Sequence, residues 1–167
     1  MACQLIFVVE SDEKSQSDYL YIRAVLNNRY KIIKNNDIKI SSVFMGGKGN
    51  YNKKKTVNKI NGFKRQYSKN GESYVIYCFD TDQFEIKHED KTVLDKEKQY
   101  CKENGYDFVW FCHTVEEVFW GEVSAKADKT KKAILFSAKP KLQNVDLKSN
   151  MMRKGKSNLM IVLDKYL

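Results

Sequence analysis

The chain is poor in several features that would place it in other classes of protein. Pro140 is its single proline, so no proline-rich linker divides it. Its four cysteines show no CxxC spacing, and we expect them to be buried, reduced thiols. No apolar run approaches the roughly 20 residues that span a bilayer. A basic leader with a small-residue cleavage site is also lacking. We therefore expect a cytoplasmic protein without a membrane partner.

Acidic residues are missing from one stretch and concentrated in the next. Residues 46–71 carry eight Lys or Arg and no acid, and residues 72–122 carry thirteen acids against five Lys. Residues 123–167 are basic again, with eleven Lys or Arg against three Asp. An acidic centre with basic flanks is typical of a metal site that handles a polyanion, although such lysines can also simply solvate a surface. The predicted nucleic-acid-binding residues are Lys48, Lys53, Lys54, Lys55, Arg65, Lys131, Lys132 and Arg153.

The composition and the order of the elements predict a small α/β protein. With 42% hydrophobic and 13% aromatic residues, the chain can bury a core. Strands alternating with helices predict a four-stranded, mainly parallel sheet flanked by helices, over 1–122. A basic helical extension, 123–167, is expected to pack on the same domain. The predicted strands are 4–10, 37–45, 73–79 and 106–112; the predicted helices are 15–28, 53–69, 90–104, 115–120, 124–137 and 156–166.

Two unbroken apolar runs end in carboxylates. Residues 5–9 stop at Glu10, and residues 74–79 stop at Asp80-Thr81-Asp82. Such runs are typical of strands buried on both faces, and the carboxyl ends of parallel strands meet at one edge of the sheet. Oxygen ligands suit Mg²⁺ or Mn²⁺, so the pattern predicts a metal site of Glu10, Asp80 and Asp82. The alternatives are a helix-capping Glu10 and a solvated strand-end turn.

Further candidates lie after the fourth strand and in a glycine-rich turn. Glu116 or Glu117 could complete the carboxylate cluster or act as general base, and of the two we favour Glu117. An ordinary acidic first helix turn is the alternative. His113 could contact a phosphate, but we favour a plain strand-end histidine. Residues 46–49, Gly-Gly-Lys-Gly, match no phosphate-loop motif. Two hypotheses stay open for this segment: Lys48 contacts a phosphate there, or the segment is only a flexible turn.

These motifs resemble those of the Toprim superfamily, over about 1–122. That superfamily has a glutamate after the first strand and a DxD after a later one, as in Val8-Val9-Glu10 and Phe79-Asp80-Thr81-Asp82 here. The resemblance is closest to the stand-alone OLD/RloB-like Toprim proteins of bacterial defence, which carry a glutamate beside Trp or Phe after the fourth strand, similar to residues 111–120. Ser11 stands where a glycine is common, and the glycine and arginine of primases and the 5S rRNA maturase do not follow the DxD.

The resemblance implies a nuclease that cleaves DNA or RNA with Mg²⁺ or Mn²⁺. Glu10, Asp80 and Asp82 would hold the metal, and Glu117 or Glu10 would transfer protons. It also implies a role in phage defence and allows for an ATPase or other protein partner. A second hypothesis is a catalytically inactive Toprim-like module that binds nucleic acid or a partner. A third, the DxD of a nucleotide-sugar transferase or HAD-type phosphatase, leaves Glu10 unexplained.

Overall fold

The computed structural model describes residues 2–32 and 37–167 and has an α/β fold, which confirms the predicted class. A mostly parallel sheet is flanked by helices, and it has one strand more than predicted. The strands are β1 (Cys3–Val9), β2 (Ile38–Phe44), β3 (Glu72–Asp80), β4 (Asp107–Cys112) and β5 (Lys156–Ser157). The helices are α1 (Ser17–Arg29), α2 (Lys54–Tyr67), α3 (His88–Asn104), α4 (Val115–Trp120), α5 (Lys129–Ala138) and α6 (Leu159–Leu163).

The order of the strands places β1 in the middle of the parallel part of the sheet. The order is β2-β1-β3-β4-β5, in which the first four strands are parallel and β5 pairs antiparallel with β4. Val9, the last residue of β1, lies opposite Phe44 of β2 and Cys78 of β3. Because parallel strands end at the same edge, the residues that follow β1, β3 and β4 meet there.

The apolar run of β1 is continuous because both faces of this strand are buried. Leu5, Phe7 and Val9 pack with residues of α1, α5 and α6 on one face of the sheet. Ile6 and Val8 pack with residues of α2 and α3 on the other face. All five side chains are fully buried, and each burial of this kind contributes about 1.5–3 kcal/mol. The strand that carries the first candidate acid is therefore firmly fixed in the core.

The C-terminal segment differs from its prediction. The sequence pattern predicts one helix over 156–166, whereas the structure has β5 followed by the shorter α6. The side chain of Asn158 accepts a hydrogen bond from the N–H of Trp110 and donates one to the carbonyl of Phe108, both at 2.9 Å. These bonds satisfy the outer edge of β4, which would otherwise stay unpaired. The predicted helix was wrong because hydrogen bonds to a distant strand leave no trace in hydrophobic periodicity.

Two further expectations concern membranes and thiols. In the described part of the chain, no helix combines the length and the apolar character needed to cross a bilayer. The four cysteines are free thiols, of which Cys78, Cys101 and Cys112 are buried and Cys3 is half-buried. The predicted burial is thus confirmed for three of them.

Candidate functional site

The acids predicted to share a site lie at one edge of the sheet. Val9 lies opposite Cys78, so Glu10 follows β1 directly beside the end of β3, where Asp80 is the last residue. Asp80 is 8% exposed, and the side chain of Glu10 is 17% exposed. Asp82 adopts a left-handed backbone conformation with φ at 50°, and nearly half of its side chain faces solvent. Glu10 and Asp80 are therefore largely buried, whereas Asp82 lies on the solvent-exposed side of this edge.

The ammonium group of Lys48 lies among these acids. Its Nζ donates hydrogen bonds to Oδ2 of Asp82, at 2.7 Å, and to the backbone carbonyl of Asp80. The same Nζ is 3.6 Å from Oε1 of Glu10. Within residues 2–32 and 37–167, the three acids do not form a group in which one oxygen from each lies within 4.8 Å of the others. Lys48 is thus the cation that offsets their repulsion in this structure.

A glycine turn directs Lys48 into the site. Gly46 and Gly47 have φ values of 67° and 134°, a region that residues with a Cβ rarely adopt. The N–H of Gly47 donates to the backbone carbonyl of Glu10 at 2.9 Å, and the N–H of Gly46 donates to that of Ser11 at 3.3 Å. These hydrogen bonds fix the turn to the end of β1, so the side chain that follows is held beside the acids.

More charged side chains reach Asp80 from the surrounding helices. Oδ1 of Asp80 accepts a hydrogen bond from the N–H of Val115, the first residue of α4, at 2.9 Å. Glu116, the next residue, is fully buried and forms an ion pair at 3.5 Å with Nζ of Lys129 on α5. Asp18, in the first turn of α1, accepts a backbone hydrogen bond at 3.0 Å from the loop that follows β1. Together with Glu10, these side chains bring charge to Asp80 from four segments of the chain.

Burial raises the pKa values of these carboxyl groups. Removal from water raises the pKa of Glu10 to about 8 and that of Asp18 to about 6. It raises the pKa of Asp80 well above the ordinary value, and the charges of Glu10 and Asp18 add to this effect. Burial alone would lower the pKa of Lys48, but the nearby carboxylates outweigh it and the net shift is upward. The site thus raises the pKa values of Glu10, Asp18 and Asp80 and also raises that of Lys48, which stays charged.

Glu97 on α3 belongs to the same electrostatic network and was not predicted. It is fully buried, and neither carboxylate oxygen has a hydrogen-bond partner among the described residues. Burial raises its pKa to about 8, against the opposing charge of Lys48. Leu94, Glu97 and Cys101 are the buried residues of α3. An acid within the apolar stripe of a predicted helix is therefore the sequence signal that could have identified Glu97. Lys129 was also missed, and its position depends on how α5 packs rather than on a local motif.

Glu116 and Glu117 occupy different environments. Glu117 contacts the residue that caps α4: Oγ1 of Thr114 accepts a hydrogen bond from the N–H of Glu117 at 3.2 Å, and the same hydroxyl donates to Oε2 of Glu117 at 3.2 Å. Oε1 of Glu117 is 3.7 Å from Nδ1 of His113. Glu116, in contrast, is the glutamate whose charge raises the pKa of Asp80. Consecutive side chains on a helix point about 100° apart, so Glu116 and Glu117 face different surroundings. Of the two, Glu116 is the one whose charge acts on Asp80.

A different set of side chains could hold a metal ion. One ligand atom from each of Glu85, Cys112 and His113 lies within 4.8 Å of the other two. Nε2 of His113 is 3.1 and 3.0 Å from the two carboxylate oxygens of Glu85, and Sγ of Cys112 is 4.0 Å from Oε1. The cluster adjoins the first site, since the N–H of Asp82 donates to the carbonyl of His113 at 3.0 Å.

The predicted nucleic-acid-binding residues lie mainly on α2, on α5 and in the loop before β5. Lys132 forms an ion pair with Glu122 at 2.7 Å. The first turn of α2 holds lysines and no acid, an arrangement that opposes the helix dipole and favours a bound anion. Apart from Lys48 and Lys132, the predicted residues are exposed: Lys53, Lys54, Lys55, Arg65, Lys131 and Arg153.

Comparison with known proteins identifies no relative of this chain. No protein-family model matches the chain, and neither a curated protein nor a solved structure does.

Proposed function

We propose that this chain is a Mg²⁺- or Mn²⁺-dependent nuclease of the Toprim type, which cleaves phosphodiester bonds in DNA or RNA. The observation that carries the proposal is the gathering of acids at the carboxyl edge of β1 and β3, where the charges of Glu10, Asp18 and Glu116 act on the buried Asp80. Six acids take part, and Lys48 and Lys129 are the cations found among them in the described residues. The acids are Glu10, Asp18, Asp80, Asp82, Glu97 and Glu116.

The donor set fits a hard divalent cation. All the side-chain donors are carboxylate oxygens, the ligands that Mg²⁺ and Mn²⁺ prefer. Oε1 of Glu10 and both oxygens of Glu116 are buried and accept no hydrogen bond from the described residues. Their nearest cations are at ion-pair distance, since Lys48 lies 3.6 Å from Oε1 of Glu10 and Lys129 lies 3.5 Å from Oε2 of Glu116. A cation bound by Glu10, Asp80 and Asp82 would give Oε1 of Glu10 a direct ligand contact in place of this longer contact with Lys48.

The protein residues divide into metal-holding and proton-handling groups. A bound Mg²⁺ or Mn²⁺ would polarise the phosphate, lower the pKa of a water and stabilise the leaving oxygen. In the metal-free protein burial raises the pKa of Glu10 to about 8, so binding of a divalent ion by this carboxyl group would displace a proton near neutral pH. Glu116 faces Asp80 and joins Asp18 in setting its charge. In the proposal Glu116 thus takes the role for which the sequence favoured Glu117.

The substrate class follows from charge. Lys53, Lys54 and Lys55 open α2, directly after the glycine turn that carries Lys48, on the same edge of the sheet as the acids. Exposed lysines hold a phosphate backbone without reading bases. A role in phage defence, with an ATPase or other protein as partner, rests on the resemblance to OLD/RloB-like Toprim proteins and forms part of the proposal.

Incubation with nucleic acids tests the proposal. The purified chain is mixed with plasmid, single-stranded DNA or tRNA in the presence of Mg²⁺ or Mn²⁺. We expect at least one substrate to be cut, and cutting to be lost in an Asp80→Ala/Asp82→Ala variant. Asp95→Ala is the matched control, because Asp95 is an exposed acid of α3 paired with Lys91. Cleavage that survives the double substitution, or that a chelator does not abolish, would contradict the proposal.

One observation favours a second candidate, the inactive binding module. Lys48 already lies between Glu10 and Asp82 and could serve as their permanent counterion. In such a module no metal is needed, and Asp80→Ala would leave the affinity for nucleic acid unchanged or raise it. Calorimetric titration with Mn²⁺ separates the two, since the nuclease must bind the ion and the module has no reason to.

A further inference from the structure

We propose that Glu85, Cys112 and His113 bind a cation of the Zn²⁺ class, separate from the carboxylate site, and that this ion fixes the loop carrying Asp82. The carboxylate site offers oxygen ligands alone. This cluster offers one thiol, one imidazole and one carboxylate, and their ligand atoms converge within 4.8 Å.

The chemistry of the donors selects the ion. Thiolate and imidazole are soft and borderline ligands that suit Zn²⁺, Co²⁺ and related ions, whereas Mg²⁺ binds them poorly. Three protein ligands leave the fourth tetrahedral position to water. A cell that supplies both kinds of ion would therefore fill the two sites of this edge with different metals.

The distances agree with a tetrahedral site. Zn²⁺ bonds of about 2.0–2.1 Å to nitrogen or oxygen and about 2.3 Å to sulfur place N and O ligands about 3.3 Å apart, and S and O ligands about 3.5 Å apart. The observed separations are 3.1 Å from Nε2 of His113 to Oε1 of Glu85, and 4.0 Å from Sγ of Cys112 to the same oxygen. Each differs from the ideal by about half an ångström or less, a shift that side-chain rotation can supply.

The second nitrogen of the imidazole lies near a carboxylate, at ion-pair rather than hydrogen-bond distance. Metal-binding histidines generally donate their other N–H to a carboxylate or carbonyl, which fixes the orientation of the ring. Nδ1 of His113 lies 3.7 Å from Oε1 of Glu117, while Nε2 faces Glu85. Glu117 is held in turn by its contacts with Thr114. Cys112 is buried, but the Glu85 side chain is 42% exposed and leaves an opening for the ion.

The ion would join two segments that position Asp82. Glu85 lies in the loop after the DxD, and Cys112 and His113 lie at the end of β4. Backbone hydrogen bonds from Thr81 to Phe111, at 2.9 Å, and from Asp82 to His113, at 3.0 Å, already connect these segments. A metal bridge would add a strong link at the far end of the same loop.

Titration with Co²⁺ tests the inference without any nuclease assay. The reduced protein, residues 1–167, is titrated in excess Mg²⁺, which occupies oxygen-only sites. We expect one equivalent of Co²⁺ to bind, with a thiolate-to-cobalt charge-transfer band and the visible spectrum of a tetrahedral ion. Zn²⁺ should displace Co²⁺, abolish both signals and raise the midpoint of thermal unfolding.

Variants assign the ligands. Cys112→Ser should abolish the charge-transfer band, and His113→Gln and Glu85→Gln should weaken binding by more than the roughly 10–100-fold typical of outer-shell changes. Cys101→Ser and His88→Gln are matched controls, since Cys101 is a buried thiol on another element and His88 is the other histidine of the chain. Glu85 is exposed, so Glu85→Gln stays informative if Cys112→Ser fails to fold.

The contradicting outcomes are equally specific. Absence of a charge-transfer band in the wild type would show that the cluster binds no ion through Cys112, and only the contact between His113 and Glu85 would remain. A band that persists in Cys112→Ser, or that Cys101→Ser removes, would place the ion elsewhere. Asp80→Asn should keep the band while losing cleavage, so failure of this inference and failure of the proposed nuclease are distinguishable.

Discussion

Lys48 and Asp82 form an ion pair, with 2.7 Å between Nζ and Oδ2, at the point where the carboxylates of two parallel strands meet. The same ammonium lies 3.6 Å from Oε1 of Glu10. The acidic edge therefore contains a cation supplied by the chain itself. In the proposed nuclease, a divalent ion competes with this lysine for the same carboxylates, and a released Lys48 becomes available to a substrate phosphate.

Replacement of Lys48 should destabilise the metal-free protein and make it depend on metal. Lys48→Met leaves Glu10 and Asp82 without their counterion, and loss of a charged hydrogen-bond partner costs about 1–3 kcal/mol of unfolding free energy. Urea unfolding with and without Mn²⁺ measures the change. We expect Mn²⁺ to stabilise Lys48→Met more than the wild type. The control is Lys91→Met, which removes a surface ion pair worth about 0.3–0.5 kcal/mol. Equal stabilisation of Lys48→Met and the wild type by Mn²⁺ would show that the metal and Lys48 do not compete for the carboxylates.

The stability of the metal-free protein should fall as the pH rises. Burial raises the pKa of Glu97 from 4.5 to about 8, so the folded state binds more protons than the unfolded state between these values. The contribution of Glu97 to the free energy of unfolding is then highest below pH 4.5 and declines up to about pH 8, by at most about 1.4 kcal/mol per pH unit.

Substitution of Glu97 isolates its share of that slope. Glu97→Gln resembles the protonated acid, so it should flatten the decline and be more stable than the wild type at pH 8.5. Urea unfolding at pH 5.5, 7.0 and 8.5 checks this. The control is Glu103→Gln, on the exposed face of the same helix. An unchanged slope in Glu97→Gln would mean that Glu97 is ionised in the folded protein already at low pH.

Glu116 and Glu117 should respond differently to the same change. Glu116→Gln removes a buried charge that acts on Asp80, so we expect cleavage to fall about 10–100-fold, as for supporting residues of metal sites. Glu117→Gln leaves that interaction in place and alters the surroundings of His113. Cleavage rates of the two variants at saturating Mn²⁺ give the comparison. A larger loss for Glu117→Gln would return the catalytic role to the residue that the sequence favoured.

The lysines that open α2 should control the salt dependence of nucleic-acid binding. Substitution of Lys53, Lys54 and Lys55 by Ser removes three proposed phosphate contacts, so the magnitude of the slope of log K against log salt should fall by about 2 on a single strand. Fluorescence anisotropy with a labelled single strand at several salt concentrations measures the slope. The control is a triple substitution on α3, Lys96, Lys98 and Lys102 to Ser, which should leave the slope unchanged. Equal losses in both variants would indicate only a general effect of net charge.

The strands and the acids that follow them were predictable because the signal is local. An unbroken apolar run requires burial on both faces, as in β1, and the next residue then lies at the sheet edge. The part played by Lys48 was not predictable, because the glycine turn that directs it inward is fixed by hydrogen bonds to β1. The choice between Glu116 and Glu117 depends on the rotation of α4, and β5 depends on the bonds of Asn158 to a distant strand.

The most direct test of the account is calorimetric titration of Mn²⁺ into the wild type and Asp80→Asn at pH 8.5, just above the pKa of Glu10. Asp80→Asn keeps the shape of a buried side chain and removes its charge. The account predicts a measurable Mn²⁺ isotherm for the wild type and its loss in Asp80→Asn, with circular dichroism showing both proteins folded. The same isotherm for both proteins, or none for either, would contradict a metal site built on Asp80.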